Sequence, residues 1–316
     1  MPYARRVEGV ELSVGVRNFA ARPPADWRHI LDQARAADDA GVDRVFVADH
    51  LVFGRDLTAY GDPAAGGVAG GVQPTGPDGE WLEPLAALSA MAAVTTRVRL
   101  ATNVLVAPLR QAVLLAKMAS TVDALSHGRL ELGAGVGWQR AEYRAVGVPF
   151  AERGRVLDET LDVCRALWTR DEVTYAGRGF DLDAVHMMPK PLHPGGVPIW
   201  LGGRAIPAAA RRLARHGTGW IPWGVTPENL AAVLGRMRSL VAEHGRDFAT
   251  IRVSYALPTA VKDGALDFPR MFAGIPEALA LGVTDFRTLA RIPPDYAGAR
   301  AFLDELHGRF REAARG

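Results

Sequence analysis

The sequence predicts an α/β fold, a (β/α)8 barrel with two insertions, on the strength of three observations. Short apolar runs alternate with longer segments of helical period, as in a parallel sheet covered by helices. Strand candidates such as Arg44–Ala48 are largely apolar, as strands buried on both faces are. Eight such units fit in 316 residues, which favours a closed barrel over the alternative, a doubly wound open sheet.

The first half of the chain supplies four predicted strands and three helices. Asp26 is a plausible N-cap of the first helix, and Gly41 is its stop signal. The predicted strands are Leu12–Val16, Arg44–Ala48, Val98–Val106 and Leu130–Gly133, and the helices between them are Asp26–Ala40, Pro84–Val94 and Ala112–Leu125.

The second half supplies four more strands, each followed by a helix. Apolar residues at helical spacing mark the helix from Pro227 to His244 most clearly. The predicted strands are Pro198–Gly202, Trp220–Trp223, Ile251–Leu257 and Val283–Leu289, and the helices are Pro207–His216, Pro227–His244, Pro269–Leu281 and Tyr296–Ala313.

Two insertions interrupt this alternation within what we treat as one domain, residues 1–316. Leu51–Trp81 is rich in glycine and proline, follows the second strand and has the length of a functional loop. Residues 138–197 hold an additional helix and a predicted hairpin, Val173–Leu182, that turns on Gly177-Arg178-Gly179. In a barrel both insertions follow strands at the C-terminal face, where active sites lie.

Composition excludes several classes of function. With 37 basic and 35 acidic residues the net charge is +2, which argues against a nucleic-acid partner. No run approaches the ~18 apolar residues of a membrane span, and the N-terminus lacks a signal-peptide core, so we expect a cytoplasmic protein without a membrane partner. The single cysteine, Cys164, excludes a disulfide framework and is expected to be buried; no His-x-x-x-His supports a metal site.

Three motifs place polar or glycine residues at predicted strand ends. Gly133–Trp138 fails the dinucleotide fingerprint, because Trp138 stands where its third glycine belongs, yet its glycines let a ligand approach the backbone. Gly202–Arg204 precedes a helix N-terminus that suits a phosphate. Asp49 and His50 close the second strand, and histidine suits proton transfer near neutral pH. Turn glycines, a solvated arginine and a hydrogen-bonded rim histidine are the structural alternatives.

In their order and spacing these segments resemble the bacterial luciferase-like superfamily, and most closely its deazaflavin (coenzyme F420)-dependent oxidoreductases, over about residues 10–290. The segments that carry the resemblance are Val45–His50, Arg97–Pro108, Leu114–Lys117, Ser126–Leu130, Gly133–Trp138, Gly147–Gly154, Pro198–Gly203 and Gly217–Trp220.

The resemblance implies a homodimeric barrel that binds a deazaflavin or flavin at its C-terminal mouth, with a non-prolyl cis peptide at Asn103-Val104. It assigns proton transfer to His50. The residues it assigns to the ring are Asp49, Asn103, Val104 and Val106; those assigned to the ring and ribityl chain are Val136, Gly137 and Trp138; those assigned to the phosphate are Gly202 and Gly203, and we add Arg204.

Two departures from the resemblance concern the substrate. The glutamate that assists proton transfer in the sugar dehydrogenases of the family falls at Trp138 here, and their phosphate-binding lysines are not apparent. A flatter or more apolar substrate is therefore expected, with Arg17 and Trp81 as further pocket walls and Leu51–Trp81 as a candidate lid.

Coenzyme F420 is favoured over FMN because flavin monooxygenases of the family more often carry Glu-His-His where this chain has Asp49-His50. The leading hypothesis is hydride transfer to or from a small organic substrate. The alternative is an FMN-dependent monooxygenase that works with a flavin reductase. A non-catalytic flavin-binding relative is disfavoured, because all eight units are retained.

Overall fold

Eight parallel strands close into a barrel, which confirms the predicted fold. The structure is a computed structural model that describes residues 9–64, 67, 71–177 and 180–315. Each strand pairs with the next along the chain, and the last pairs with the first. The strands are β1 (Glu11–Gly15), β2 (Arg44–Val47), β3 (Arg99–Thr102), β4 (Leu130–Gly135), β5 (Ile199–Gly203), β6 (Gly219–Pro222), β7 (Arg252–Ala256) and β8 (Asp285–Thr288).

Helices cover the outside of the barrel, and their apolar faces pack on the strands. In the part of the chain that is described, no helix is long and apolar enough to cross a membrane. Cys164 is buried in the fifth helix, as predicted. The helices are α1 (Arg28–Asp39), α2 (Pro84–Val94), α3 (Ala112–Leu125), α4 (Arg140–Ala145), α5 (Arg153–Thr169), α6 (Pro207–His216), α7 (Leu230–Ala242), α8 (Phe268–Phe272), α9 (Ile275–Ala280) and α10 (Tyr296–Ala313).

Two elements that were predicted to be continuous are interrupted in the structure. The strand predicted over Val98–Val106 is interrupted: β3 ends at Thr102, the Asn103-Val104 peptide is cis, and Leu105–Val106 then pairs with β4. The helix predicted over Pro269–Leu281 is two short helices, α8 and α9. Gly274 caps the second of these, and Pro276 lies in its first turn, where the missing N–H costs nothing.

The first helix begins two residues later than predicted. Trp27, not Asp26, is the N-cap of α1 and makes no side-chain capping bond. The Asp26 carboxylate still accepts a hydrogen bond from the backbone N–H of Arg28 at 2.9 Å. The predicted stop holds, since Gly41 follows the helix with φ +84.

Both insertions contain short antiparallel pairs. Glu80–Trp81, at the end of the first insertion, pairs with Phe19–Ala20 after β1. The predicted hairpin pairs Val173–Gly177 with Phe180–Val185; its turn residues Arg178 and Gly179 lie outside the described residues, as do residues 1–8, 65, 66, 68–70 and 316.

The N-terminal end of the barrel is closed by a charged layer. Arg44 lies at its centre, where its Nε donates to Glu131 at 2.8 Å and its Nη2 to Glu11 at 3.1 Å. Burial alone would raise the pKa of Asp285, but Arg44 beside it holds that pKa below its usual value. The layer balances three arginines against three carboxylates: Arg44, Arg99, Arg252, Glu11, Glu131 and Asp285. The opposite, C-terminal end is therefore the end open to a ligand.

Candidate active site

The C-terminal ends of the strands bring side chains from β2, β3, β6 and β8 to one mouth. Asn103, Ile221 and Arg287 line a small cavity of about 20 Å³ inside the barrel, which also reaches Arg44 and Asp285 of the charged layer. The Asn103 side chain makes no hydrogen bond to any residue in the described ranges, so both its donor and its acceptor remain available for a ligand.

Glycines shape the floor of this mouth around Val104. A Cβ at Gly202 would lie 2.8 Å from Val104 Cγ1, and a Cβ at Gly135 would lie 2.8 Å from Val104 Cγ2. Atoms that close must shift, since carbon contacts are normally about 3.5–4.0 Å. Val104 is thus seated between two bare stretches of backbone on neighbouring strands, β4 and β5. The two glycines therefore make room for the Val104 side chain at the strand ends.

The loop after β4 continues the same surface. Gly137 has φ +62, and a Cβ there would lie 2.7 Å from Val106 Cγ1, so glycine is required on both counts. Val136 is half-buried, and its carbonyl accepts a bond from the Tyr143 hydroxyl. The predicted ring-binding residues therefore adjoin one another.

His50 is buried at the end of β2 and forms a dyad with Glu142. Its Nδ1 lies 3.1 Å from Glu142 Oε2, and Glu142 Oε1 accepts the backbone N–H of Leu51 at 2.8 Å. Glu142 is fully buried on α4. No hydrogen bond to Nε2 of His50 comes from the described part of the chain. The ring is therefore held at one nitrogen and free to exchange a proton at the other.

Aromatic rings surround His50 on the side of the first insertion. Trp81 lies edge-on to it with ring centroids 4.9 Å apart, and Trp138 does so at 5.7 Å. Phe53 is 4.6 Å away, and Phe19 stacks on Trp81 at 4.4 Å. We call Phe19, Phe53, Trp81 and Trp138 the aromatic wall.

The first insertion spans the mouth from β2 towards β5. The backbone N–H of Gly54 donates to the Gln139 side chain, and Tyr60 lies edge-on to Trp138 at 5.4 Å. At the far side Arg204 Nη1 is 3.5 Å from the Pro63 carbonyl oxygen. The insertion thus covers the β4 and β5 side of the mouth, where a lid would lie.

The predicted phosphate-binding residues lie at the end of β5. Gly202 and Gly203 end the strand, Arg204 is exposed after it, and α6 begins at Pro207. The Cβ position of Gly203, at φ +156, is surrounded by open space. The segment is therefore accessible to an anion.

Asp49 differs from its predicted neighbours, since both its oxygens bind protein. Oδ2 accepts the backbone N–H of Val106 at 2.8 Å, and Arg110 contacts both oxygens at 2.7 and 2.9 Å. The carboxylate anchors the segment after the cis peptide to β2. Because Asp49 is adjacent to His50 in the sequence, this anchor also helps to position the site.

The dyad partner Glu142 was missed from the sequence. It is a single glutamate in the short polar helix α4, and no spacing in its neighbourhood distinguishes it from a surface residue. Of the two predicted pocket walls, Trp81 adjoins His50, whereas Arg17 is exposed after β1, two residues before Phe19.

The chain matches known proteins along most of its length. A family model described as luciferase-like monooxygenase matches residues 9–314. The uncharacterized protein Rv0940c of Mycobacterium tuberculosis is 32% identical over 234 residues, 72% of this chain and 76% of its own. Pyrimidine monooxygenase RutA of Rhizobium rhizogenes is 31% identical over 177 residues, 54% of this chain and 48% of its own. A solved F420-dependent secondary alcohol dehydrogenase, in complex with an F420-acetone adduct, has a TM-score of 0.70 at 18% identity, covering 96% of this chain and 99% of that one.

Proposed function

The chain belongs to the luciferase-like monooxygenase family, and from that premise we propose that it is a deazaflavin (coenzyme F420)-dependent oxidoreductase. It transfers a hydride to or from a small organic substrate in the barrel mouth. The observation that carries the proposal is the buried His50–Glu142 dyad, which lies among the residues we assign to a planar cofactor.

The residues present at the mouth fit such a cofactor. At the floor of the mouth Gly135 and Gly202 leave room for Val104, and a Cβ at either would displace it. Asn103 offers a free amide beside this floor. We assign Val106, Val136, Gly137 and Trp138 to the ring and ribityl region, and Gly202, Gly203 and Arg204 to the phosphate, with Asp49 as an anchor for the ring-binding segment.

When bound, the deazaflavin supplies the hydride donor or acceptor, and the protein orients it and excludes water. Reduction of a carbonyl also needs a proton at the carbonyl oxygen, and the chain holds that proton on Nε2 of His50. The Glu142 side chain accepts the Nδ1–H and fixes the orientation of the ring. In the opposite direction Nε2 takes the proton from an alcohol.

The aromatic wall and the first insertion keep this proton exchange away from bulk water. His50 is only 9% exposed, and Trp138 only 4%. A charge-assisted bond is stronger in a water-poor site than in the open solvent. We infer that the insertion acts as a lid and that a flat or apolar substrate lies against the aromatic wall. A homodimer, as the family resemblance implies, is part of the same proposal.

The second candidate is an FMN-dependent monooxygenase supplied by a flavin reductase. The description of the matching family and the similarity to the pyrimidine monooxygenase favour it. It predicts tight FMN binding and oxygen consumption. We place it second because the Asp49-His50 pair that follows β2 resembles the deazaflavin members.

The test compares His50→Ala with His244→Ala, a matched control because His244 is exposed beyond α7. We expect oxidation of reduced F420 by menadione, a generic hydride acceptor, to slow by about 100-fold or more in His50→Ala, within the usual range for acid–base catalysis. Its affinity for F420 should stay within about threefold. His244→Ala should match the wild type. Unchanged turnover in His50→Ala would remove His50 from the mechanism.

A further inference from the structure

We propose that the substrate carries an anionic group, a carboxylate or a phosphate monoester, which binds to Arg17, Arg287 and Arg291 at the open side of the barrel mouth. We call these three residues the mouth arginines. The inference rests on the proposed function, because it assumes that the mouth is the substrate site. It adds the class of substrate.

Strand register brings the mouth arginines together. β1 and β8 are parallel neighbours in which Ser13 lies opposite Arg287 and Val14 opposite Thr288. Arg17 and Arg291 follow the ends of these two strands, and they are close enough for the positive charge of Arg291 to act on Arg17. Arg287 faces the cavity that Asn103 also lines. The three guanidinium groups therefore come from one edge of the mouth.

This edge of the mouth is open to solvent. Leu289 lies between Arg287 and Arg291 in sequence and is 59% exposed, although it reaches to 2.7 Å from the Cβ position of Gly15 inside the mouth. Arg17, Arg291 and Ala256 are also exposed. The first insertion contacts the β4 and β5 side of the mouth, and its end pairs with Phe19–Ala20 after β1, so the β8 side is the route left for a substrate.

Among the described charged groups inside the barrel, one arginine forms no ion pair with a carboxylate. Arg44, Arg99 and Arg252 all pair with carboxylates in the charged layer. Arg287, two residues beyond Asp285 on β8, has no carboxylate within 4.0 Å among the described residues, and the same holds for Arg17 and Arg291.

The hydrogen bonds of Arg287 also indicate an anionic ligand. Its Nη1 donates to the Ser254 carbonyl at 2.5 Å and to the Ser254 hydroxyl at 3.1 Å, while Nη2 is 3.5 Å from the Pro222 carbonyl. None of the described residues accepts from its Nε. Neutral acceptors thus hold one side of the guanidinium, and the remaining donors suit the planar fork of a carboxylate or phosphate.

The electrostatics agree with a positive charge that is only partly compensated. Burial lowers the pKa of Arg287 to about 10, and the nearby Asp285 and Tyr255 offset this effect only in part. Partial burial and the positive charge of Arg291 both lower the pKa of Arg17. Each shift reports a cation that lacks hydration or an opposite charge, and an anionic ligand would relieve it.

The aromatic wall adjoins the mouth arginines. Its position restricts the shape and polarity of the part of the substrate that lies beyond the anionic group. Arg17 lies two residues before Phe19, Phe19 stacks on Trp81, and Trp81 adjoins His50. A substrate with its anion on the arginines would therefore lay its body along the aromatic rings towards His50. A planar or apolar acid fits this arrangement better than a neutral polyol.

The test is calorimetric titration of the full-length chain with benzoate, phenyl phosphate and the neutral isostere benzamide, with and without F420. We expect benzoate or phenyl phosphate to bind at least tenfold more tightly than benzamide. Arg287→Gln should weaken binding of the preferred anion by about tenfold or more, which corresponds to the loss of one charge-assisted hydrogen bond. Arg287→Lys should restore part of the affinity.

If Arg287→Gln fails to fold, Arg17→Gln still tests the proposal, because Arg17 is exposed. Arg238→Gln on the outer helix α7 is the matched control and should change nothing. Equal binding of benzoate and benzamide, or anion binding indifferent to both Arg17→Gln and Arg287→Gln, would overturn the proposal. Anion binding that depends on the arginines in a chain that binds no F420 would support the anion site while refuting the proposed function.

Discussion

Gly202→Ala is the substitution that tests the glycine floor most sharply. The new methyl would lie 2.8 Å from Val104 Cγ1. The other methyl of Val104, Cγ2, faces the backbone of Gly135, where no Cβ is present. A β-branched side chain also has few alternative χ1 rotamers. We therefore expect the strain to displace Val104, which borders the space that we assign to the cofactor ring.

The expected loss of affinity follows from this contact. Relief to an ordinary carbon contact of about 3.5–4.0 Å requires a shift of roughly 0.7–1.2 Å. Overpacking of this size costs about 1–3 kcal/mol. If the displaced Val104 must be pushed back when the ring binds, the cost appears in the dissociation constant of F420 as a rise of about 5- to 150-fold.

Quenching of tryptophan fluorescence by added F420 measures that constant, because Trp138 adjoins His50 in the site. Gly235→Ala is the matched control: Gly235 lies in the interior of α7 with no atom within 4 Å of its Cβ position, so alanine there should leave F420 affinity unchanged and stabilise the helix by about 0.5–1 kcal/mol. An F420 affinity of Gly202→Ala within twofold of the wild type would refute the reasoning.

Three further predictions concern the dyad and the core. Glu142→Gln should slow menadione-dependent oxidation of reduced F420 by about 10- to 150-fold, since a charge-assisted bond of about 1.5–3 kcal/mol is lost, with little change in the melting temperature; full turnover would contradict the role of Glu142. Arg44→Met should lower the free energy of unfolding in urea by about 3–5 kcal/mol, because it strands buried carboxylates; a loss below 1 kcal/mol would contradict that. Cys164 should react with a thiol reagent only after unfolding, because it is buried and burial raises the pKa of its thiol; labelling of the native protein would contradict this.

The alternation of elements was enough to predict the barrel, because each parallel strand in it is buried on both faces and each helix has one apolar face. Local continuity was harder. Pro276 could be read as part of a helix or as the start of a new one, and the structure shows a new one. The interruption of the third strand followed only from the family resemblance, since Asn103 lies in an apolar run that otherwise predicts an unbroken strand.

The charged groups of the site were the least predictable from sequence. Glu142 acquires its role from the folding of α4 against the end of β2, a contact between residues 92 positions apart. The alternation of strand side chains did carry a signal for Arg44, Asp285 and Arg287, which occupy inward positions of buried strands. An inward-facing charge that has an opposite charge across the barrel predicts a charged layer. One that lacks an ion-pair partner predicts a group that binds a ligand.

The central claim is that this chain uses a deazaflavin, and side-by-side titration of the purified protein with F420 and FMN tests it most directly. The account predicts that F420 quenches tryptophan fluorescence with a micromolar dissociation constant, that FMN binds much more weakly, and that an excess of FMN fails to displace F420. Tight FMN binding without F420 binding would contradict the account and favour the oxygen-consuming monooxygenase.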